Sequence, residues 1–551
     1  MVSAPGTART YAGGVNNPQQ REGTADGGSH PPAAPGTARA GHRNARWAAA
    51  SGVVAVGAGV VAGELAAGLV SPAVSPLTAV GGAVIDAVPP AVKDWAIALF
   101  GTSDKVALLV GMALVIAALA ALAGVLEYRR RFAGAAVIAV FGFAGVAAVL
   151  TRQQATPAAV AVPLLVVLAA VILLRVLTGR LHGWPEDVAY AGVAGPPRRS
   201  FLQLLAGGAA VTAVGGVLGT VWRGAATVVN EARQQLQLPA PQSAAPPIPE
   251  GAEVGLEGME PLVTPNDEFY RIDTALTVPA IDPEKWVLRV TGLVAEEVQL
   301  TFAELLAKPL IERHVTIACV SNEVGGDLIG NARWLGWPVR ELLALAGPQP
   351  DADMVLSRST DGWTASTPLD VLTDSRDALL AIGMNGEPLP LEHGFPVRLV
   401  VPGLYGYVSA TKWLTELKVT RFADDVAYWT PRGWSDHGPI KMSSRIDVPR
   451  RGRPVRAGTV AFGGVAWAQH TGISKVELRV NRGEWQQAEL APGISVDTWY
   501  QWKHGVKLGP GQYEVQVRAT DLNGAAQAEE RRAAAPDGAT GFHTIRVDVN
   551  P

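Results

Sequence analysis

Cys319 is the only cysteine in a chain of 551 residues. It ends an apolar run, in His314-Val315-Thr316-Ile317-Ala318-Cys319-Val320-Ser321-Asn322-Glu323. A β-rich run of this kind delivers a thiol to a polar turn, where a thiolate can face a metal or a substrate. The same placement suits a buried cysteine packing as a small hydrophobe. A Cys–His hydrolase with His314 or His393 as base is a third reading, although nothing nearby builds an oxyanion hole. A second group follows in Glu392-His393-Gly394-Phe395-Pro396-Val397-Arg398, then Val401-Pro402-Gly403-Leu404-Tyr405-Gly406, then Ser409-Ala410-Thr411-Lys412-Trp413-Leu414. One His, one Arg and one Lys converge there around a strand and a Gly-rich turn. Arg forks phosphate and glycine lets backbone N–H groups approach, so the group suits a phosphate-bearing anion. A charged rim on the domain is the plainer reading of the same residues.

Composition limits the chemistry. One cysteine excludes a disulfide framework, a four-cysteine zinc site and an iron–sulfur cluster held by this chain alone. No Cys-x-x-Cys-His haem motif occurs. The net charge of -3 argues against a general nucleic-acid binder. Fifteen Trp and 48% hydrophobic residues exclude a chain disordered throughout.

The elements that must position these residues begin at about residue 263. Short strands over 286–290 and 397–401 mix with amphipathic helices over 301–306 and 339–346, which predicts an α+β domain over 263–445. From about residue 448 the pattern is all-β. Strands are expected over 459–468, 475–480, 513–520 and 543–549, with turns at Asn481-Arg482-Gly483 and Asn523-Gly524. That spacing suggests an immunoglobulin-like sandwich over 446–551. Residues 223–262, rich in Gln, Pro and Ala, read as a linker.

Upstream the chain changes character. Only 17% of all residues are charged, against about 25% in ordinary soluble proteins. Apolar runs over 47–70, 106–126, 132–150, 157–174 and 202–221 each approach the roughly 20 residues that cross a bilayer. A shorter run over 77–88 contains Asp86 and leaves five or six spans open. Residues 1–46 read as a disordered basic tail. Arg129, Arg130 and Arg131 follow the second run, and Arg175, Arg180, Arg198 and Arg199 flank the gap before the last. The positive-inside rule therefore puts the N-terminus in the cytoplasm and everything after residue 221 outside. No histidine falls within these runs, so the bundle is expected to anchor rather than carry haem. Glu64 lies inside the first run, either as a functional carboxylate or in helix packing. Pro197-Arg198-Arg199-Ser200-Phe201-Leu202 resembles a twin-arginine export signal, although an ordinary Arg pair obeying the positive-inside rule has the same sequence.

Three separated blocks resemble the sulfite oxidase family of molybdopterin-dependent oxidoreductases. They are Thr264-Pro265-Asn266-Asp267-Glu268-Phe269-Tyr270-Arg271; Cys319 with Asn322 and Ala332-Arg333-Trp334-Leu335-Gly336; and His393 to Arg398 through Lys412-Trp413-Leu414. Their order and spacing agree with the family over residues 255–445, and the stretch from 444 is similar to the family's C-terminal dimerisation sandwich. Residues 1–250 are not covered. The resemblance implies that Cys319 is the thiolate on molybdenum and, with Arg271, serves catalysis. It implies that Asn266, Tyr270 and Arg271 contact the cofactor or its oxo face. His393 and Arg398 would hold the pterin phosphate, with Ala410, Thr411 and Lys412 adding contacts. Asp361 would be a further pterin contact, there with a gap in the alignment.

The expected protein is therefore a membrane-embedded bundle, a sulfite-oxidase-like molybdopterin domain and a β-sandwich through which homodimers form. Molybdenum–molybdopterin is the expected cofactor, with no haem or iron–sulfur cluster in this chain. Partners are a small-molecule substrate and an external electron carrier such as a cytochrome, not nucleic acid. One departure bears on substrate. Animal and plant sulfite oxidases follow the cysteine with a basic Asn-Arg-Arg stretch, where this chain reads Asn322-Glu323-Val324. The family's active-site tyrosine is replaced around residues 429–434. Sulfite, another small oxyanion and an S-oxide all stay open as substrates. A cofactor-free binding protein on the same fold is the rival from another class.

Overall fold

The computed structural model describes residues 37–70, 75–88, 92, 99, 104–151, 157–182, 196–222, 225–450 and 452–551. Helices Thr37–Val70, Pro76–Ala87, Asp104–Arg129, Ala133–Leu150, Pro157–His182 and Pro196–Trp222 make the bundle. Thr37–Val70 is central and packs on Pro157–His182, Asp104–Arg129 and Pro196–Trp222. Glycines allow the close approach. A Cβ on Gly52 would lie 1.9 Å from Ala120 O, and one on Gly124 would lie 2.0 Å from Ala48 O. Small residues at a helix crossing let backbones pack where lipid supplies no hydrophobic drive.

Among the described residues, four helices are long and apolar enough to cross a membrane, over Asn44–Ala67, Ala107–Arg129, Ala133–Leu150 and Ala158–His182. The fifth expected run lies in Pro196–Trp222, with Arg198 and Arg199 in its first turn; the side chains of residues 216–222 are outside the described set. The shorter run forms Pro76–Ala87, 12 residues, too short to span. Glu64 serves this helix structurally. Its Oε1 accepts from Ser75 Oγ and Leu77 N, both at 3.1 Å. Glu127 does the same for Ala133–Leu150, accepting from Phe132 N and Ala135 N.

Three expectations need correction here. The stretch 37–46, read as part of a disordered tail, opens the first helix; its Ala and Arg residues favour helix. Residues 1–36 of that tail lie outside the described residues. The first helix begins early enough to include His42, and the fourth run continues to His182, so two histidines do lie in bundle helices, each near a helix end. The linker contains a helix, Ala225–Gln235, whose narrow apolar face buries Val229.

The next domain has two mixed or antiparallel sheets. One runs Val298–Thr301, Val287–Gly292, Leu414–Thr420, Met354–Ser359, Thr364–Pro368. The other runs Ile311–Ala318, Ile329–Pro338, Leu379–Met384, Glu387–Pro388, with Arg398–Val400 also paired to Leu379–Met384. One apolar cluster joins them, including Leu288, Val290 and Leu417 of the first with Leu335, Leu380 and Leu399 of the second. Thr301 and Glu304 form a capping box at helix Phe302–Leu306, and Val339–Ala346 is the helix the sequence predicts.

The C-terminal domain starts at strand Ser443–Val448, slightly before the expected boundary. Two sheets of four and five strands share a core of Phe462 and Trp502 with Val476, Leu478, Val515 and Ile545, so they pack face to face. Asn481 and Arg482 have φ of 49° and 57°, the left-handed pair that a tight hairpin turn uses. A strand the sequence does not announce, Tyr500–Leu508, carries Lys503, His504 and Gly505 where β-formers are usual.

Candidate functional site

Strand Ile311–Ala318 brings Cys319 to the floor of a cavity of about 140 Å³. Cys319 is 9% exposed. Cys319 N donates to Leu328 O and its carbonyl accepts from Asn322 N, while Asn322 Oδ1 accepts from Leu328 N. This closed turn fixes the direction of the side chain. The C-terminal domain braces it: Arg445 Nη1 donates to Gly326 O at 3.0 Å, and Trp499 N donates to Thr316 Oγ1 at 2.9 Å. Gln469 Nε2 also donates to Thr316 O.

The cationic wall comes from strand Arg398–Val400 of the same sheet and from the loop that leads into Leu414–Thr420 of the other. Arg398, Lys412 and Ala410 line the cavity with Cys319, and so do Tyr270 and Asp361. Arg398 is 2% exposed and donates to Leu399 O and His393 O. Among the described residues no carboxylate pairs with it. Lys412 is 8% exposed; its Nζ reaches Asp273 Oδ2 at 3.2 Å and Glu392 O at 2.9 Å. Burial, opposed by Asp273 and reinforced by Arg398, brings the Lys412 ammonium down to about 8. Burial lowers Arg398 to about 10, still charged at neutral pH. Burial, then the charges of Lys412 and Arg398, push His393 to about 3, so its imidazole is neutral. Burial also raises the Cys319 thiol, with hydrogen bonds from Ser321 opposing, and raises Tyr270 and Asp361.

Other expected residues sit around this cavity without lining it. His393 is 2% exposed, its Nε2 meets Asn266 O at 3.1 Å, and its Nδ1 is buried with no hydrogen-bond partner among the described residues. Asn266 spends its side chain on Asn385 and Met384 O, and so shapes the loop under His393. Thr411 bonds Ser357 Oγ at 2.7 Å, facing the sheet. Arg271 points outward, with a 40% exposed side chain tied to Asp273 at 3.0 Å. Glu323 is exposed outside the lining. Sequence reasoning missed Asp273, which bonds Arg271 and also Lys412, 139 positions further on. The only signal was its place two residues after Arg271. Trp363, Trp429, Trp434 and Tyr407 add aromatic surface to the lining.

The arrangement suits an anionic group that also offers a metal to a thiolate. Of the two buried cations only Lys412 has a carboxylate, Asp273, which it shares with Arg271, and unpaired buried charge is costly. A phosphate would supply the missing charge, and a donor from the same group would meet His393 Nδ1. Among the described residues no three or more His, Cys, Asp or Glu converge, so a metal at Cys319 would take its remaining ligands from the group that carries it.

Residues 275–429 match the family model of the oxidoreductase molybdopterin binding domain. Human mitochondrial sulfite oxidase is 30% identical over 305 residues, 47% of this chain and 55% of that protein. The uncharacterized oxidoreductase YuiH of Bacillus subtilis is 36% identical over 165 residues, 30% of this chain and 80% of that protein. The chain spans about half the length of the sulfite oxidases it matches. A crystal structure of the sulfane dehydrogenase SoxCD from Paracoccus pantotrophus aligns at 23% identity and a TM-score of 0.46, over 53% of this chain and 82% of that one.

Proposed function

The chain belongs to the sulfite oxidase family of molybdopterin-dependent oxidoreductases, and from that premise we propose a membrane-anchored oxidoreductase acting on a small oxyanion or S-oxide. The observation that carries this reading is a cavity that brings the Cys319 thiol together with the Arg398–Lys412 pair on its walls. When bound, molybdenum–molybdopterin supplies two-electron oxygen-atom transfer. Cys319 would give up its proton and ligate the metal as a thiolate. Arg398 and Lys412 would hold the phosphate, Ala410 would leave room beside it, and Asp361 and Tyr270 would face the ring system. His393 would position the loop and accept through Nδ1. Arg271, at the exterior beside Asp273, would meet the substrate or the cofactor's outer edge.

Among substrates, the aromatic lining favours an S-oxide with an apolar substituent over sulfite. Trp363, Trp429 and Trp434 offer apolar surface where a dianion would want fixed positive charge. The test is turnover of purified full-length protein with sulfite and with S- and N-oxides, using an artificial electron carrier. Faster turnover of sulfite removes the S-oxide preference, and no turnover with any of them removes the activity.

The remaining assignments follow the same reading. A fifth span within Pro196–Trp222, added to the four helices long and apolar enough to cross, would put the catalytic domain outside the cell membrane; the facing sheets of the C-terminal domain would form an immunoglobulin-like dimer module, and electrons would pass to or from an external carrier such as a cytochrome. Arg198 and Arg199 would act as the export signal for a domain loaded with cofactor before translocation. Replacing both by Lys should leave the catalytic domain protected from external protease; unchanged cleavage removes the export reading.

A further inference from the structure

We infer that Arg233, on the helix that follows the membrane bundle, is a positioning residue for the phosphate-holding wall of the cavity. This rests on reading that cavity as the molybdopterin site. The Arg233 guanidinium donates from Nε to Leu389 O at 2.8 Å and from Nη2 to Pro388 O at 2.9 Å. Its contact with Glu387, at 3.4 Å, involves a carboxylate side chain 65% exposed and contributes little. On the same helix, Val229 packs into the apolar cluster that contains Phe269, Leu389 and Phe395. The helix therefore grips the segment 387–393 from outside.

The cationic wall grips the same segment from inside. Lys412 Nζ donates to Glu392 O, Trp413 Nε1 to Leu391 O at 2.9 Å, and Arg398 Nη1 to His393 O at 3.2 Å. Pro388 and Pro390 fix two φ angles, and His393 N closes onto Pro390 O at 3.0 Å. So short and stiff a segment passes a shift at Leu389 on to the carbonyls that orient Lys412 and Arg398. Arg233 does not itself line the cavity. The segment just beyond the bundle thus tethers the domain and also sets the spacing of its buried cations.

The test follows molybdenum and pterin per chain during dialysis of full-length protein made in a cofactor-competent host. Arg233→Ala should lose both roughly tenfold faster than wild type, the worth of one charge-assisted hydrogen bond. Arg233→Lys, which keeps the charge but not the fork, should fall between. Glu387→Gln should match wild type. Leu343→Ala, a core truncation in helix Val339–Ala346 away from the segment, should lower the melting temperature without speeding loss. Loss from Arg233→Ala at the wild-type rate, or no faster than from Leu343→Ala, overturns the inference while leaving the family's cofactor in place. Wild type without molybdenum overturns the proposed function and this inference with it. If Arg233→Ala does not fold, Arg233→Lys alone decides, and loss at the wild-type rate counts against the inference.

Discussion

Glu127 in the helix bundle and Arg398 in the catalytic domain are both charged and both nearly fully buried, at 4% and 2% exposure. Their surroundings differ. Glu127 receives two backbone N–H groups from the start of the next helix and has Arg175 at 3.7 Å. Arg398 finds two carbonyls and, among the described residues, no carboxylate. A helix N-terminus and a carboxylate complete each other, so Glu127 needs nothing from outside. A buried guanidinium beside a half-neutralised Lys412 is left for a partner the chain lacks. Matched buried charge marks a structural joint, and unmatched buried charge marks a site built for a ligand.

The comparison can be broken in steps. Cys319→Ser should reduce turnover to background while the protein folds and inserts normally, measured by single-turnover kinetics and circular dichroism; retained turnover would remove the thiolate from the chemistry. Arg398→Leu should cut cofactor retention by about a hundredfold, if two charge-assisted hydrogen bonds to phosphate are lost. The apo-protein should be no less stable, since removing an uncompensated buried charge is neutral or favourable. Apo unfolding that drops by several kcal/mol would make Arg398 a structural residue like Glu127. In Glu127→Ala the sign reverses: the bundle should lose about 1–3 kcal/mol for the freed N–H groups, with cofactor content per folded chain unchanged.

The smallest effect is a pH dependence. Lys412 is lowered by burial to about 8, so it carries its charge below that pH and sheds it above. An anion binds the protonated form better and raises its pKa in turn. Affinity of the apo-protein for pyrophosphate should therefore be full below pH 8 and weaken by up to about tenfold per unit above it. Isothermal titration across pH 7–9.5 checks this, and Lys412→Arg should flatten the profile.

Much of this was legible in the sequence for a physical reason. Cys319 ends an apolar β run, and His393, Arg398 and Lys412 crowd a short stretch, so local pattern already places them. Bundle helices are legible because lipid demands about 20 apolar residues in a row. Asp273 was not legible, because its partner Lys412 is distant in sequence and its own loop has no period. The side chains of Asn266 and Thr411 were not either: whether they face the cofactor or the scaffold depends on Asn385 and Ser357, which only tertiary packing supplies. Helix Ala225–Gln235 escaped notice because its polar composition reads as linker, while Val229 and Arg233 acquire their roles only against segment 387–393.

The most direct measurement is the molybdenum and pterin content of full-length wild-type protein purified from a cofactor-competent host. About one molybdenum and one pterin per chain, both much reduced in Arg398→Leu, is the outcome expected of an unmatched cationic site. Wild-type protein that is folded, inserted and free of molybdenum would contradict it, and would return Arg398 and Lys412 to the status of a charged rim.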